Sequence, residues 1–267
     1  MQPLISEFSY GYALTQELAG GMLGNLIGAP VFPSLRQEGS AGGGYDVQIP
    51  LIGFPLFLQF KLSDYLSRTS ASERTMLGGP YYRMHLRPLR HSDQHNLLLD
   101  LEAAGNEVYY AAPEFHTQPE LNSAYLARQV FRRSRFFRPS AIGALPDRDG
   151  HYICFRARQK PAYLFSDSGR GVLSQTGEEF AKGLADEFQM KHRPLDLRTL
   201  ESLSTNLESA IEKKSAYIES VYQLKDVKAG FVKSRIGLGR YLAHLSWVFF
   251  DSYLVFVGRD SEIRRTR

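Results

Sequence analysis

Cysteine is nearly absent from this chain: among 267 residues there is one, Cys154. A single thiol excludes an intramolecular disulfide framework and a cysteine-rich zinc site, and it fits a reducing compartment. Long apolar runs are missing as well. The most apolar stretch, residues 247–257 (WVFFDSYLVFV), is interrupted by Asp251 and falls well short of the roughly 20 apolar residues of a membrane-spanning helix. The opening residues, MQPLISEFSYGY, carry no lysine or arginine and no continuous apolar segment. No secretory leader and no membrane association are therefore expected, and the expected location is cytoplasmic. Neither sign of charge dominates: 32 Lys and Arg against 28 Asp and Glu leave a net +4. That mildly basic balance permits a polyanionic partner without demanding one. The chain also lacks a GxSxG elbow, a Walker-type phosphate loop and a GxGxxG turn, the signatures of three large groups of enzymes. What remains, with 43% hydrophobic and 22% charged residues, is a globular chain able to build one large core or two smaller ones.

Along the chain, Phe8, Tyr12, Leu14 and Leu18 stand at helical spacings and Gly20-Gly21 ends the segment. A short apolar run follows at 29–35. A Gly-rich stretch, 39–44, leads into Tyr45-Asp46-Val47-Gln48-Ile49, which alternates as a half-buried strand does. Pro50 and Pro55 bracket a connector before residues 56–61 (LFLQFK), a buried strand with a polar end, and 81–86 is a further strand. Ser92 and Asp93 open a helix with Leu97, Leu98, Leu101 and Ala104 on one stripe and Gly105 after it; residues 107–112 then read as a strand. This order predicts an α/β or α+β architecture with helices packed on a central mixed sheet. Helices are expected at 120–133 and 178–190, with short strands at Phe136, 152–155 and 162–165. From Pro194, an amphipathic segment over 197–228 carries Leu200, Leu203, Leu207, Ile211, Ile218 and Val221. A boundary near Arg193-Pro194 is expected to divide a domain of residues 1–193, its core at about 6–113, from a helical C-terminal extension of residues 194–267.

Chemistry is concentrated at two neighbouring strands, one carrying Asp46 and the other ending in Gln59-Phe60-Lys61. Alternate residues of a strand share a face, so Gln59 and Lys61 point one way and Phe60 the other. In a hairpin-like pair Asp46 can lie opposite Gln59. A carboxylate facing an amide oxygen forms an oxygen-rich pocket suited to Mg²⁺ or Mn²⁺, and the Lys61 ammonium nearby can stabilise charge building on a phosphate. A bland reading stands beside it, with Asp46 a turn residue and Lys61 a strand end reaching for water. Gln94 and His95 open the second core helix, where the N-terminus could approach a phosphate or the two residues could serve as cap and surface. His91 and His95 are an i, i+4 pair without the glutamate of a zinc protease, which reads as surface.

The order helix–strand–strand–strand–helix–strand, with Asp46 followed by Gln59-x-Lys61, resembles the PD-(D/E)xK restriction-endonuclease-like nucleases, in particular the Mrr-like branch in which glutamine replaces the second acidic residue. GGGYDVQIP…FLQFK also resembles nuclease domains of bacterial anti-phage defence systems. The resemblance spans residues 6–113, under half the chain. It implies a restriction-endonuclease-like core and a metal-dependent endonuclease acting on DNA, as an effector or subunit of a defence complex. It further implies Asp46 as principal ligand of Mg²⁺ or Mn²⁺, Gln59 as the second, Lys61 as the catalytic lysine and Glu17, on the first helix, as an added ligand. The competing reading is an inactive module of the same fold that binds nucleic acid or a partner protein.

A basic run offers a place for DNA. Arg128, Arg132 and Arg135 share a face if the helix persists that far, with Arg138 close by and Phe131, Phe136 and Phe137 interleaved. The alternative is a solvated helix face with its phenylalanines in the core. The stripe over residues 200–221 and the apolar block at 247–257 must both be buried. A homodimer through the C-terminal helices is one expectation, and cover for the sheet of the same chain is the other.

Overall fold

A computed structural model of the chain describes residues 1–18, 52–68, 73–147, 149–165, 169–213, 228 and 234–259. The runs expected to be strands at 29–35 and 45–49, Asp46 among them, lie outside the described residues. In chain order the elements are α1 (Glu7–Glu17), β1 (Ile52–Phe60), β2 (Ser63–Leu66), α2 (Arg74–Leu77), β3 (Tyr81–Leu86), α3 (Gln94–Ala103), β4 (Glu107–Pro113), α4 (Gln118–Leu126), β5 (Ser134–Phe137) and α5 (Pro139–Ile142). They continue with β6 (His151–Phe155), β7 (Ala162–Phe165), β8 (Arg170–Val172), β9 (Gln175–Thr176), α6 (Gly177–Lys191), β10 (Arg193–Pro194), α7 (Leu197–Glu212), the helix Arg235–Phe250, here α8, and β11 (Tyr253–Arg259). The content is mixed α/β of the α+β kind. Contacts divide the chain into two compact units, Met1–Leu18 with Gln59–Leu99 and Val108–Gly183, and Ala19–Leu58 with Asp100–Glu107 and Leu184–Arg267.

The first unit is built on antiparallel strands. Five of them run in the order β2-β3-β6-β7-β8, with Tyr82 opposite Phe155 and Tyr152 opposite Phe165. β4 and β5 pair from Tyr110↔Phe137 to Pro113↔Ser134, and β9 follows on β5. Helix α1 starts where Ser6 accepts the Ser9 amide at 3.0 Å, with Glu7 in the favourable first turn. It buries Tyr10 and Leu14. The Tyr10 ring meets Phe60 and Phe115 edge-on at 5.8 and 5.9 Å, and Gly11 is needed for this approach, since a Cβ there would stand 2.6 Å from the Phe60 ring. Helix α4 opens on a reciprocal Thr117–Glu120 capping box. It stops at Leu126, not at 133 as the periodicity suggests. Arg128 turns left-handed at φ 52 and the Gln129 amide bonds back to the Ala124 carbonyl at 2.8 Å, which closes the helix. The phenylalanines beyond it fill the core, where Phe136 stacks on Phe180 at 3.9 Å.

In the second unit, Ile52 to Leu58 of β1 lie antiparallel to β11, in register from Ile52↔Arg259 to Leu58↔Tyr253. β10 pairs with Ile52 and Gly53. A side chain at Gly53 would place its Cβ 2.1 Å from the Val257 carbonyl oxygen, so only glycine lets the two backbones approach. Pro55 sits inside β1 opposite Phe256, not in a connector. One missing N–H is tolerated because Phe54 and Leu56 to Leu58 are all buried. The C-terminal segment is therefore not purely helical. α7 packs on α8, and its Leu200, Leu203, Leu207 and Ile211 are buried as the stripe requires; Ile218 and Val221 lie outside the described residues. Asp251, left-handed at φ 46, ends α8 and splits the apolar block into a helix end and the strand β11. Among the described residues no helix is long and apolar enough to cross a membrane.

Candidate functional site

β1 is buried from Gly53 onward, and its polar residues come at its C-terminal end. Phe60 faces α1. Gln59 and Lys61, one step either side, face the opposite way and meet Gln94, the first residue of α3. The Gln94 Nε2 donates to Gln59 Oε1 at 3.0 Å, and Lys61 Nζ donates to Gln94 Oε1 at 3.4 Å. The Gln59 amide also donates to the Phe60 carbonyl at 3.3 Å. All three residues are buried, with 1%, 6% and 3% exposure for Gln59, Lys61 and Gln94. The backbone is fixed too, since the Lys61 amide donates to the Ala111 carbonyl of β4 at 2.9 Å. An ammonium and two amides thus converge within one shielded space. Burying such groups costs free energy unless they are hydrogen-bonded, and a buried cation of this kind marks a candidate site.

Gln94 and His95 are not surface residues. His95 is 2% exposed; its Nε2 lies 2.8 Å from the Gly143 carbonyl and its Nδ1 lies 2.9 Å from the Tyr110 hydroxyl. A carbonyl only accepts, so Nε2 carries the proton and Nδ1 accepts from Tyr110. Burial holds the His95 pKa below the ordinary imidazole value, which keeps the ring neutral. His91 is exposed and accepts from Arg90 Nε at 3.1 Å. The two histidines therefore form no metal pair. Among the described residues no group of three or more His, Cys, Asp or Glu side chains is placed to hold a metal ion.

Glu17 is not brought to Gln59 and Lys61. Its two carboxylate oxygens accept the amides of Val130 and Phe131, each at 2.9 Å. Those residues are 0% and 1% exposed, and buried N–H groups require acceptors. Glu17 also belongs to α1, the helix over Phe60, which is the other side of β1 from Gln59 and Lys61.

The arginine run does not form one helical face, because α4 ends before it. Arg128 is exposed at the turn. Arg132 is exposed and lies 3.4 Å from Glu178. Arg135, on β5, is fully buried, its guanidinium 2.9 Å from the Glu114 carboxylate, so it is not an external contact for nucleic acid. Arg138 is half-buried over the Tyr109 ring at 4.6 Å.

A polar cluster at Glu73 escaped the sequence reading, since no motif links its members. Glu73 accepts the hydroxyls of Tyr81 at 2.7 Å and Tyr152 at 2.8 Å and pairs with Arg83, which lies 4.3 Å over the Tyr152 ring. Burial alone would raise its pKa, yet the two hydroxyls and Arg83 hold it down to about 2. Cys154 beside it is pushed up to about 12 by burial, despite Arg83, and is an inert core thiol. In the second unit, Lys191 bonds Glu107 at 2.9 Å and Glu187 at 2.8 Å, beside a 340 Å³ cavity lined also by Asn106, Arg193 and Ser202.

No protein-family model matches this chain, and neither a curated protein nor a solved structure matches it.

Proposed function

We propose that this protein is a Mg²⁺- or Mn²⁺-dependent endonuclease that hydrolyses DNA phosphodiesters, built on a restriction-endonuclease-like core and serving as an effector or subunit of a bacterial anti-phage defence system. One observation carries the reading. Gln59 and Lys61, the Q and K of the motif, project from the same side of β1 and are tied together by Gln94. Asp46 and Gln59 would hold the cation, whose oxygen-donor preference suits a carboxylate and an amide oxygen. The bound ion would polarise the phosphate and lower the pKa of a water. Lys61 offers the positive charge for the phosphate oxygens as negative charge develops on them. Gln94 orients both motif side chains and so acts as a positioning residue.

The second reading, an inactive module of the same fold, is favoured by Glu17, which serves two backbone amides and is not available as an added acidic ligand. Incubating plasmid and single-stranded DNA with the full chain in Mg²⁺, Mn²⁺ or EDTA separates the two. Cleavage that needs the metal and disappears in Asp46→Ala is the expected result. DNA binding without cleavage under every metal condition would support the inactive module.

A further inference from the structure

The connection between β6 and β7 is longer than a hairpin needs. The strands pair up to Phe155↔Ala162, and two residues suffice for a tight turn, yet residues 156–161 (RARQKP) intervene. Three of them are basic. Arg156 turns inward and donates to the Leu77 carbonyl at 3.2 Å, and Lys160 pairs with Glu179 at 2.8 Å. Arg158 is exposed, and its side chain makes no hydrogen bond or ion pair with the described residues. Its backbone is left-handed at φ 58, a conformation that costs free energy for any residue with a Cβ.

This loop is held from beneath by the buried Arg135–Glu114 pair. Glu114 accepts the Arg158 amide on both oxygens, at 3.2 and 3.1 Å. Arg135 Nη2 donates to the carbonyls of Gln159 at 2.6 Å and Arg156 at 3.3 Å. Arg135 Nη1 donates to Ser174 Oγ at 3.2 Å, and that hydroxyl donates to the Lys160 carbonyl, also at 3.2 Å. A buried ion pair is a poor device for stability alone. Here its remaining hydrogen bonds converge on one exposed, basic, strained loop, and such strain is a mark of functional sites.

We propose that residues 156–161 form a preorganised phosphate-contact loop, in which Arg158 presents its guanidinium to a nucleic-acid backbone while Arg135 and Glu114 act as positioning residues. The forked guanidinium matches phosphate oxygens, and a loop fixed beforehand loses little conformational freedom on binding. The inference rests on the reading of this protein as one that acts on DNA.

Fluorescence anisotropy of a short labelled duplex and of its single strand, in Ca²⁺ to prevent cleavage, tests it. Wild type, Arg158→Gly and Arg158→Lys are compared between about 50 and 200 mM salt. The glycine variant should bind more weakly, with a salt slope shallower by about one. Its melting temperature should hold or rise, because glycine suits the left-handed backbone. The lysine variant should keep the wild-type slope. Unchanged affinity and slope in Arg158→Gly, with wild type binding DNA, would overturn the loop's role and leave the DNA reading standing. Failure of wild type to bind either form would overturn both.

Discussion

Replacing Lys61 with methionine is expected to lower DNA cleavage by about 10²–10³-fold, the loss typical of removing one preorganised group that stabilises charge in the transition state. The side chain is 6% exposed and its ammonium reaches the Gln94 amide, so little water is present to replace it. Methionine keeps the apolar stem, so the packing around it is preserved. Stability should therefore hold, and the Lys61 amide keeps its bond to Ala111. Initial rates on supercoiled plasmid at saturating Mg²⁺, with a thermal melt of each protein, check both parts. Unchanged cleavage would remove Lys61 from the chemistry. A large fall in melting temperature alongside the lost activity would make it a structural residue.

Arg135→Ala is expected to cost about 3–5 kcal/mol of stability, because it leaves the Glu114 carboxylate buried without its partner. Arg135 is 0% and Glu114 3% exposed, so solvent cannot take over the role. The same substitution frees the carbonyls of Gln159 and Arg156, which adds to the loss. Urea unfolding should show a lower midpoint with an unchanged slope. The double variant Arg135→Met with Glu114→Gln should recover part of the loss, since neither charge then remains buried. A change below about 1 kcal/mol in the single variant, the scale of an exposed pair, would contradict the burial and coupling described for this network.

Much of the fold was legible because local patterns and burial agree. β3 over Tyr81–Leu86 matches the expected strand, and α6 over Gly177–Lys191 extends the expected helix by a residue at each end. Where the pattern misled, long-range packing had overridden a local signal. Pro55 reads as a break, yet both faces of β1 are buried and the strand runs through it. Arg128, Arg132 and Arg135 keep a helical spacing, but the left-handed Arg128 ends that helix and places Arg135 on a strand, facing Glu114. Asp251 reads only as an interruption of an apolar run, whereas it is the corner between α8 and β11. At the candidate site, strand alternation alone puts Gln59 and Lys61 on one side. That Gln94 joins them depends on where α3 begins relative to β1, which no local spacing encodes. The same holds for Glu17, since a glutamate at a helix end looks alike whether it meets water, a metal or the amides of Val130 and Phe131.

A divalent cation held by Asp46 and Gln59 is what would separate a nuclease from an inactive module of the same fold, and titration with Mn²⁺ followed by electron paramagnetic resonance measures it without relying on turnover. With the full chain and a non-hydrolysable duplex present, wild type should take up Mn²⁺ at a saturable site. Gln59→Leu should weaken that uptake, Asp46→Ala should abolish it, and Lys61→Met should leave it in place, since lysine is no ligand. Equal Mn²⁺ uptake by wild type and Asp46→Ala, or none by wild type, would contradict a metal-dependent site at the end of β1.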